Sequence, residues 1–290
     1  VTRYQVQHRT SYSYDALVTS SYGVAWVMPR RMPGQEVADA TVAVLPEPED
    51  LGISSDYYGN EVRYFHVTSP HTELVVDAHS VVDVATVEFP RALLDRAWET
   101  CRPLGSAEPR AWRAVDFALE SPLVEHPDSA REYAAATLSP ERPVGEAVSE
   151  LVHRIHADFA YRPGVTSVTS TVDEVFAAQA GVCQDFTHLL LSCLRSHGLA
   201  ARYVSGYLAT TPPPGRDRLV GADASHAWAA VWLGDDHWLA VDPTNDTRVD
   251  DRYVTVAWGR DYGDVPPVKG TVFTTAFSSE LSVYVDVQAV

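Results

Sequence analysis

The stretch Ala180-Gly181-Val182-Cys183-Gln184-Asp185-Phe186 decides how the C-terminal half folds. A glycine turn leads into a helix running from about Cys183 to Ser196. Phe186, Leu189, Leu190, Cys193 and Leu194 recur at helical spacing on its inner side. His197-Gly198 supplies the stop. Upstream, Thr171-Val172-Asp173-Glu174 has the Thr-x-x-Glu form in which hydroxyl and carboxylate satisfy first-turn amides, so a short helix starts there and breaks at Ala180-Gly181. Before it, Val148, Leu151, Val152, Ile155 and Phe159 mark one face of a longer helix. Downstream, Ala201 to Leu208 reads as a strand, and Thr211-Pro212-Pro213-Pro214-Gly215 starts a loop. Ser225 to Leu233 and His237 to Val241 form a hairpin across Gly234-Asp235-Asp236. Two more strands, Thr271 to Thr275 and Leu281 to Val287, close a catalytic domain spanning 143–290.

Working toward the N-terminus, residues 91–142 form a helical connector. Short helical stretches (Arg91 to Trp98, Ala111 to Leu119, Ala130 to Leu138) alternate with Pro103, Pro109, Pro122, Pro127, Pro140 and the bordering Pro143, which forbid one continuous helix. Residues 1–90 are β-structure. Tyr4, Val6, His8, Thr10, Tyr12 and Tyr14 alternate with their neighbours at the period of a half-buried strand, and Val24 to Met28 is a second run ending at Pro29. Asp56-Tyr57-Tyr58-Gly59-Asn60 makes a turn leading into Val62, Tyr64 and His66, with Leu74 to Val87 as the expected partner. This reads as an antiparallel β-sandwich, so the whole chain is α+β.

A length of 290 residues suits two domains, and a hydrophobic fraction of 46% is ample for their cores. Lys and Arg number 22 against 39 Asp and Glu, a net charge of −17. That balance, with no basic stretch, argues against nucleic acid or an anionic membrane surface as partner. No apolar run reaches the ~18 residues of a membrane helix. Val1-Thr2-Arg3-Tyr4-Gln5-Val6 lacks a signal-peptide pattern, so the expected location is the cytoplasm. The three cysteines, Cys101, Cys183 and Cys193, exclude a disulfide scaffold and a four-thiolate zinc site. His153, His156 and His188 read as solvent-facing or core histidines, since no H-E-x-x-H occurs; no metal is expected.

Chemistry concentrates at three points. Cys183 opens a helix, where free amides and the dipole favour thiolate and can stabilise an oxyanion. His226, in Ser225-His226-Ala227-Trp228, heads a strand. Asp242, in Asp242-Pro243-Thr244-Asn245, closes the neighbouring strand, near enough to pair with His226 across the hairpin. Nucleophile, general base and orienting carboxylate are then all present. Asp185 complements the helix dipole and is given no catalytic part.

These residues resemble a known family. Gly181-Val182-Cys183-Gln184-Asp185-Phe186, Gly206-Tyr207, His226-Ala227-Trp228 and Asp242-Pro243-Thr244-Asn245 are similar to the motifs of the bacterial transglutaminase-like superfamily. Tyr12-Ser13-Tyr14 and Asp56-Tyr57-Tyr58-Gly59-Asn60 resemble the β-domain preceding that core in many members, and Gly259-Arg260-Asp261-Tyr262-Gly263-Asp264-Val265-Pro266-Pro267 their C-terminal segment. The resemblance implies a papain-like catalytic fold, with Cys183 as nucleophile, His226 as base and Asp242 as its partner, and acyl transfer on a peptide or protein amide through a thioester. It implies no cofactor; the calcium dependence of the animal enzymes does not carry over. The Cys183 amide is one oxyanion donor, with Tyr161 or Gln179 as candidates for the second. Trp228 and Tyr207 are candidates for a substrate channel. Many bacterial members carry a cysteine-protease designation, so amide or isopeptide hydrolysis is the expected reaction. Transfer to an amine is the alternative, and a non-catalytic peptide-binding scaffold the rival from another class.

Overall fold

The computed structural model describes residues 1–210 and 225–290. The expected loop at Thr211-Pro212-Pro213-Pro214-Gly215 lies outside the described residues. The first half is built on one long strand, β1 (Thr2–Ala25), followed by β2 (Gln35–Leu45), β3 (Asp50–Ser55), β4 (Glu61–Val67) and β5 (His71–Val84). The two runs expected in this region, Tyr4 to Tyr14 and Val24 onward, belong largely to this single strand. Its pairing shifts register between Ser13 and Val18, so β5 pairs mainly with its first part and β4 with its second. β4 therefore pairs with β3 and β1, and not with β5 as expected.

A connector follows: α1 (Arg91–Leu94), α2 (Trp112–Val115) and α3 (Asp128–Ala135), with 3-10 turns at Trp98–Cys101 and Asp116–Ala118. Then come α4 (Val144–Asp158), β6 (Ala160–Tyr161), α5 (Val172–Ala178), β7 (Ala180–Gly181), α6 (Cys183–Arg195) and β8 (Ala201–Leu208). β9 (Ser225–Gly234), β10 (His237–Asp242), β11 (Thr247–Arg248) and β12 (Tyr253–Gly259) complete a sheet in the order β11-β10-β9-β8-β12 among the described residues. Helix α6 is more deeply placed than an amphipathic surface helix. Besides the apolar stripe read from the sequence, Leu191, Ser192 and Arg195 are buried. The buried Arg195 guanidinium donates to the Ala201 carbonyl at 2.8 and 3.0 Å and to that of Arg260, pinning the end of α6 to the sheet.

The last two strands, β13 (Val268–Thr274) and β14 (Ser279–Ala289), depart from expectation. Both pair antiparallel with β1, so they extend the N-terminal sheet and not the catalytic one. Nor is the N-terminal half a sandwich: its strands form one antiparallel sheet. Alternation requires a cover for one face, and two bodies provide it. Ala25, Phe65, Val67, Leu74 and Val76 pack together on the inner side of the sheet, which is open, with β2 and β3 at the ends of its strand order. Tyr4, Val6, Val82, Val84, Val285 and Val287 share a core with Leu151, Ile155, Leu189 and Leu190 of the helices. Burying each such aliphatic side chain contributes about 1.5–3 kcal/mol, so the two halves stabilise one another. Among the described residues, no helix is long and apolar enough to cross a membrane.

Candidate active site

Local chemistry places the thiol. The capping box of α5 is formed: Thr171 Oγ1 accepts from Glu174 N at 3.3 Å, and Glu174 Oε2 from Thr171 N at 2.9 Å. Gln179 ends the helix at a φ of 46°, and Ala180-Gly181 then pairs in parallel with Ala160-Tyr161. Buried Asp185, one turn into α6, reaches back to accept from Val182 N and from Thr166 Oγ1, both at 2.7 Å. This bond tightens the entry turn so that Cys183 is the first residue of α6, its amide in the unpaired first turn. A Cβ at position 181 would come within 2.7 Å of Asp185 Cβ and Oδ2, which is why the turn needs glycine. We expect Gly181→Ala to destabilise the fold by about 1–3 kcal/mol and to slow alkylation of Cys183 by displacing it; thermal unfolding and iodoacetamide kinetics check both.

The three cysteines divide by burial. Cys101 and Cys193 are fully buried, and burial pushes both thiols up, Cys193 strongly, so they stay protonated at neutral pH. Cys183 is partly exposed, in a cleft of about 240 Å³ that it shares with His226.

His226 lies opposite Gly206 in the β8–β9 ladder. A Cβ on Gly206 would sit 2.5 Å from the Trp228 ring and 2.1 Å from the Val254 carbonyl oxygen, so glycine permits this close packing behind the imidazole. His226 Nε2 is 2.7 Å from Asp242 Oδ2. Fully buried Asp242 is saturated with donors. Its Oδ2 also accepts from Tyr253 OH at 2.8 Å and Asn245 Nδ2 at 2.7 Å, and its Oδ1 from Thr244 N at 2.8 Å. Burial alone would raise this carboxyl, but the bonds from His226, Asn245 and Tyr253 hold it below the ordinary range. For His226, burial opposes the charged form, yet hydrogen bonds to Asp242 and Cys183, and their charges, lift it to about 9. The imidazole is thus biased toward imidazolium between a thiol and a carboxylate.

The structure brings Cys183, His226 and Asp242 together and treats the other candidates differently. Tyr161 is exposed, packs its ring edge-on against Phe186 and does not line the cleft. Exposed Gln179 also lies outside the lining; it serves the α5 terminus. Trp228 and Tyr207 are corrected from channel to core. Trp228 is buried among Val204, Ala230 and Tyr253, and buried Tyr207 hydrogen-bonds His8 Nδ1 at 2.9 Å. Neither lines the cleft: each shares a strand face with a residue that does, but Trp228 is buried behind the His226 ring and Tyr207 is held in the interior by its bond to His8. Sequence reasoning missed Tyr253 and the side chain of Asn245 as positioning residues; Asn245 stood in a quoted motif, whereas nothing local marks Tyr253. It also missed that His8, Thr10 and Tyr12 of β1 form part of the cleft wall. Among the described residues, no group of three or more His, Cys, Asp or Glu could hold a metal ion. His153 is bonded to Asp246 and His156 to the Thr244 carbonyl, and buried His188 to Tyr262 N.

Comparison with known proteins agrees with this architecture. Residues 4–83 match the bacterial transglutaminase-like N-terminal region, and residues 131–243 the transglutaminase-like superfamily core. Uncharacterised proteins of Mycobacterium bovis and Mycobacterium tuberculosis are 46% identical over 98% of this chain and 92% of theirs. A protein-glutamine gamma-glutamyltransferase of Pseudomonas aeruginosa is 31% identical over 51% of this chain, but only 22% of its own length. A Cytophaga hutchinsonii crystal structure, designated a candidate cysteine protease, superposes with a TM-score of 0.74 at 16% identity, covering 99% of this chain and 97% of that one. With both regions matched in order, the chain belongs to the transglutaminase-like superfamily, as a member whose core follows the bacterial N-terminal region.

Proposed function

We propose that this protein is a thiol enzyme that hydrolyses peptide or isopeptide amides through a Cys183 thioester. The observation that carries the reading is the imidazole of His226, held 2.7 Å from buried Asp242 and sharing one cleft with the partly exposed Cys183 at the start of α6. In the reactive pair the thiol proton rests on His226 as imidazolium, and in the first step the Cys183 thiolate Sγ bonds to the amide carbonyl carbon. The oxyanion meets the free amide of Cys183 at the helix start. As the C–N bond breaks, His226 returns the proton to the departing nitrogen and an amine leaves. Water then attacks the thioester with His226 as base; the carboxylic acid departs and the thiol is restored. Asp242 stabilises the imidazolium throughout without taking the proton. The hydroxyls of Thr10, Ser205 and Ser225 border the cleft and offer hydrogen bonds to such a water.

A second reading, transfer of a glutamine acyl group to an amine, draws support from the Pseudomonas aeruginosa relative. The deciding experiment is mass spectrometry of a glutamine- and peptide-amide library, with and without a primary amine, using Cys183→Ala as control. Cys183-dependent cleavage or deamidation alone supports hydrolysis; amine adducts support transfer. Absence of any Cys183-dependent product, with ordinary iodoacetamide reactivity, would support a scaffold.

The pH profile gives an independent check. The active pair needs an imidazolium, and His226 keeps its proton up to about 9. We expect kcat/KM to fall as pH rises through that value. The interaction that raises His226 also stabilises the fold, fully below its ordinary value near 6.5, and is lost through about 9.

A further inference from the structure

One wall of the cleft comes from the far end of the chain and the far half of the molecule. In the β1–β14 ladder, Thr10 stands opposite Val283 and Tyr12 opposite Leu281. Cross-strand partners project from the same face of a sheet, so these four side chains form a continuous patch. All four line the cleft across from Cys183 and His226. One step along the ladder, His8 and Val285 are both 2% exposed and belong to the interior. From there the face opens outward: Thr10 is 3% exposed, whereas Val283 is 50% and Leu281 57% exposed. The patch is therefore apolar surface running out of the core and into the mouth of the site.

Its inner end is rigidly held. His8 Nδ1 is 2.9 Å from Tyr207 OH on β8, and His8 Nε2 is 3.1 Å from Thr10 Oγ1, a buried hydrogen-bonded chain joining the two sheets. Burial drives His8 down to about 4, so this link is neutral at physiological pH. Among the described residues lining the cleft, none carries a carboxylate, ammonium or guanidinium group, although the chain as a whole bears a net charge of −17. The one cation the cleft presents, the His226 imidazolium, is already paired with Asp242, so an ionised side chain lying against the β1–β14 ladder would lose water without gaining a partner there.

We propose that the Thr10–Tyr12 and Leu281–Val283 ladder is the substrate-selecting wall, which takes an uncharged, apolar side chain beside the reacting amide. This deepens the thiol acyl-transfer reading and rests on it for the identity of the reacting group. The N-terminal sheet, on this view, is half of the specificity site.

The test uses two electrophiles that need the thiol and the wall but no amide turnover: N-chloroacetyl-phenylalanine amide and N-chloroacetyl-aspartic acid amide. In each, Sγ of Cys183 displaces chloride; the C–S bond forms as C–Cl breaks, and His226 keeps the thiol proton. Labelling of the full chain is followed by intact mass at neutral pH. We expect the phenylalanine probe to react at least about tenfold faster than the aspartate probe. In Leu281→Asp and Val283→Asp the ratio should fall toward one. Leu281→Ser, with thermal unfolding as a control, covers the case in which an aspartate on β14 disturbs the sheet. Equal rates in the wild type, or a preference unchanged in all folded variants, would overturn the proposal. Wall-dependent labelling without any amide turnover would support the wall and count against acyl transfer alone.

Discussion

Cys183→Ala is expected to remain folded and to lose amide turnover by roughly 10⁴–10⁶-fold, the range seen when a covalent nucleophile is removed. Cys183 is partly exposed at a helix start, so losing its sulfur opens no internal cavity. Its backbone carbonyl still accepts from Thr187 Oγ1, at 2.8 Å, so the first turn of α6 keeps that bond. Cys193→Ala provides the contrast. That thiol is fully buried among the leucines of the core, and its loss should cost on the order of 1 kcal/mol of stability while leaving turnover near the wild-type value. Thermal unfolding, with steady-state rates on a peptide amide that the wild type turns over, separates the two effects. Undiminished turnover in Cys183→Ala would end the mechanism.

Asp242→Asn is expected to cost roughly 10⁴-fold in kcat, because an amide of the same shape carries no charge to hold the imidazolium. The effect has a signature beyond rate. Asp242 raises His226 through both a hydrogen bond and its charge, and burial of the ring opposes them. With the charge gone, burial has less to oppose it, and the basic limb of the pH profile should move well below 9. Asp242 is fully buried and takes hydrogen bonds from Tyr253 and Asn245 as well, so the variant also loses stability. A basic limb that stays in place while kcat falls would show that Asp242 acts only as packing. Tyr253→Phe, which removes one donor and keeps the ring, should shift the limb in the opposite direction and by less.

Much of this site is legible locally. Gly181 before Cys183, the Thr171–Glu174 capping box and the apolar stripe of α6 are short-range signals, and each acts through a neighbour within a few residues. The hairpin that carries His226 and Asp242 is also local, since both strands and their turn lie within one segment. Tyr161 and Gln179 were less legible. Their chain positions lie near Cys183, yet neither is part of the cleft lining: Tyr161 packs on Phe186 and Gln179 ends α5. Trp228 follows His226 by two residues on the same strand face and stacks obliquely behind it, 6.2 Å between ring centroids, which makes it support for the imidazole and not lining.

What the chain determines by itself is therefore the reactive apparatus: a thiol at a helix start, a histidine and a carboxylate on neighbouring strands, and an N-terminal half whose alternation demands that one face be covered. What covers that face was decided only by tertiary structure. A period of two states that a side is buried and carries no information on whether a second sheet, a helix or a neighbouring domain does the burying. Here β13 and β14, from the opposite end of the chain, pair with β1, and its face packs partly on itself and partly on the catalytic core. Contacts spanning more than 250 residues, such as Thr10 with Val283, leave no periodic trace in either segment. They arise because the complementary apolar faces exist once the whole molecule is assembled, and through them an N-terminal strand becomes a wall of the cleft that holds Cys183.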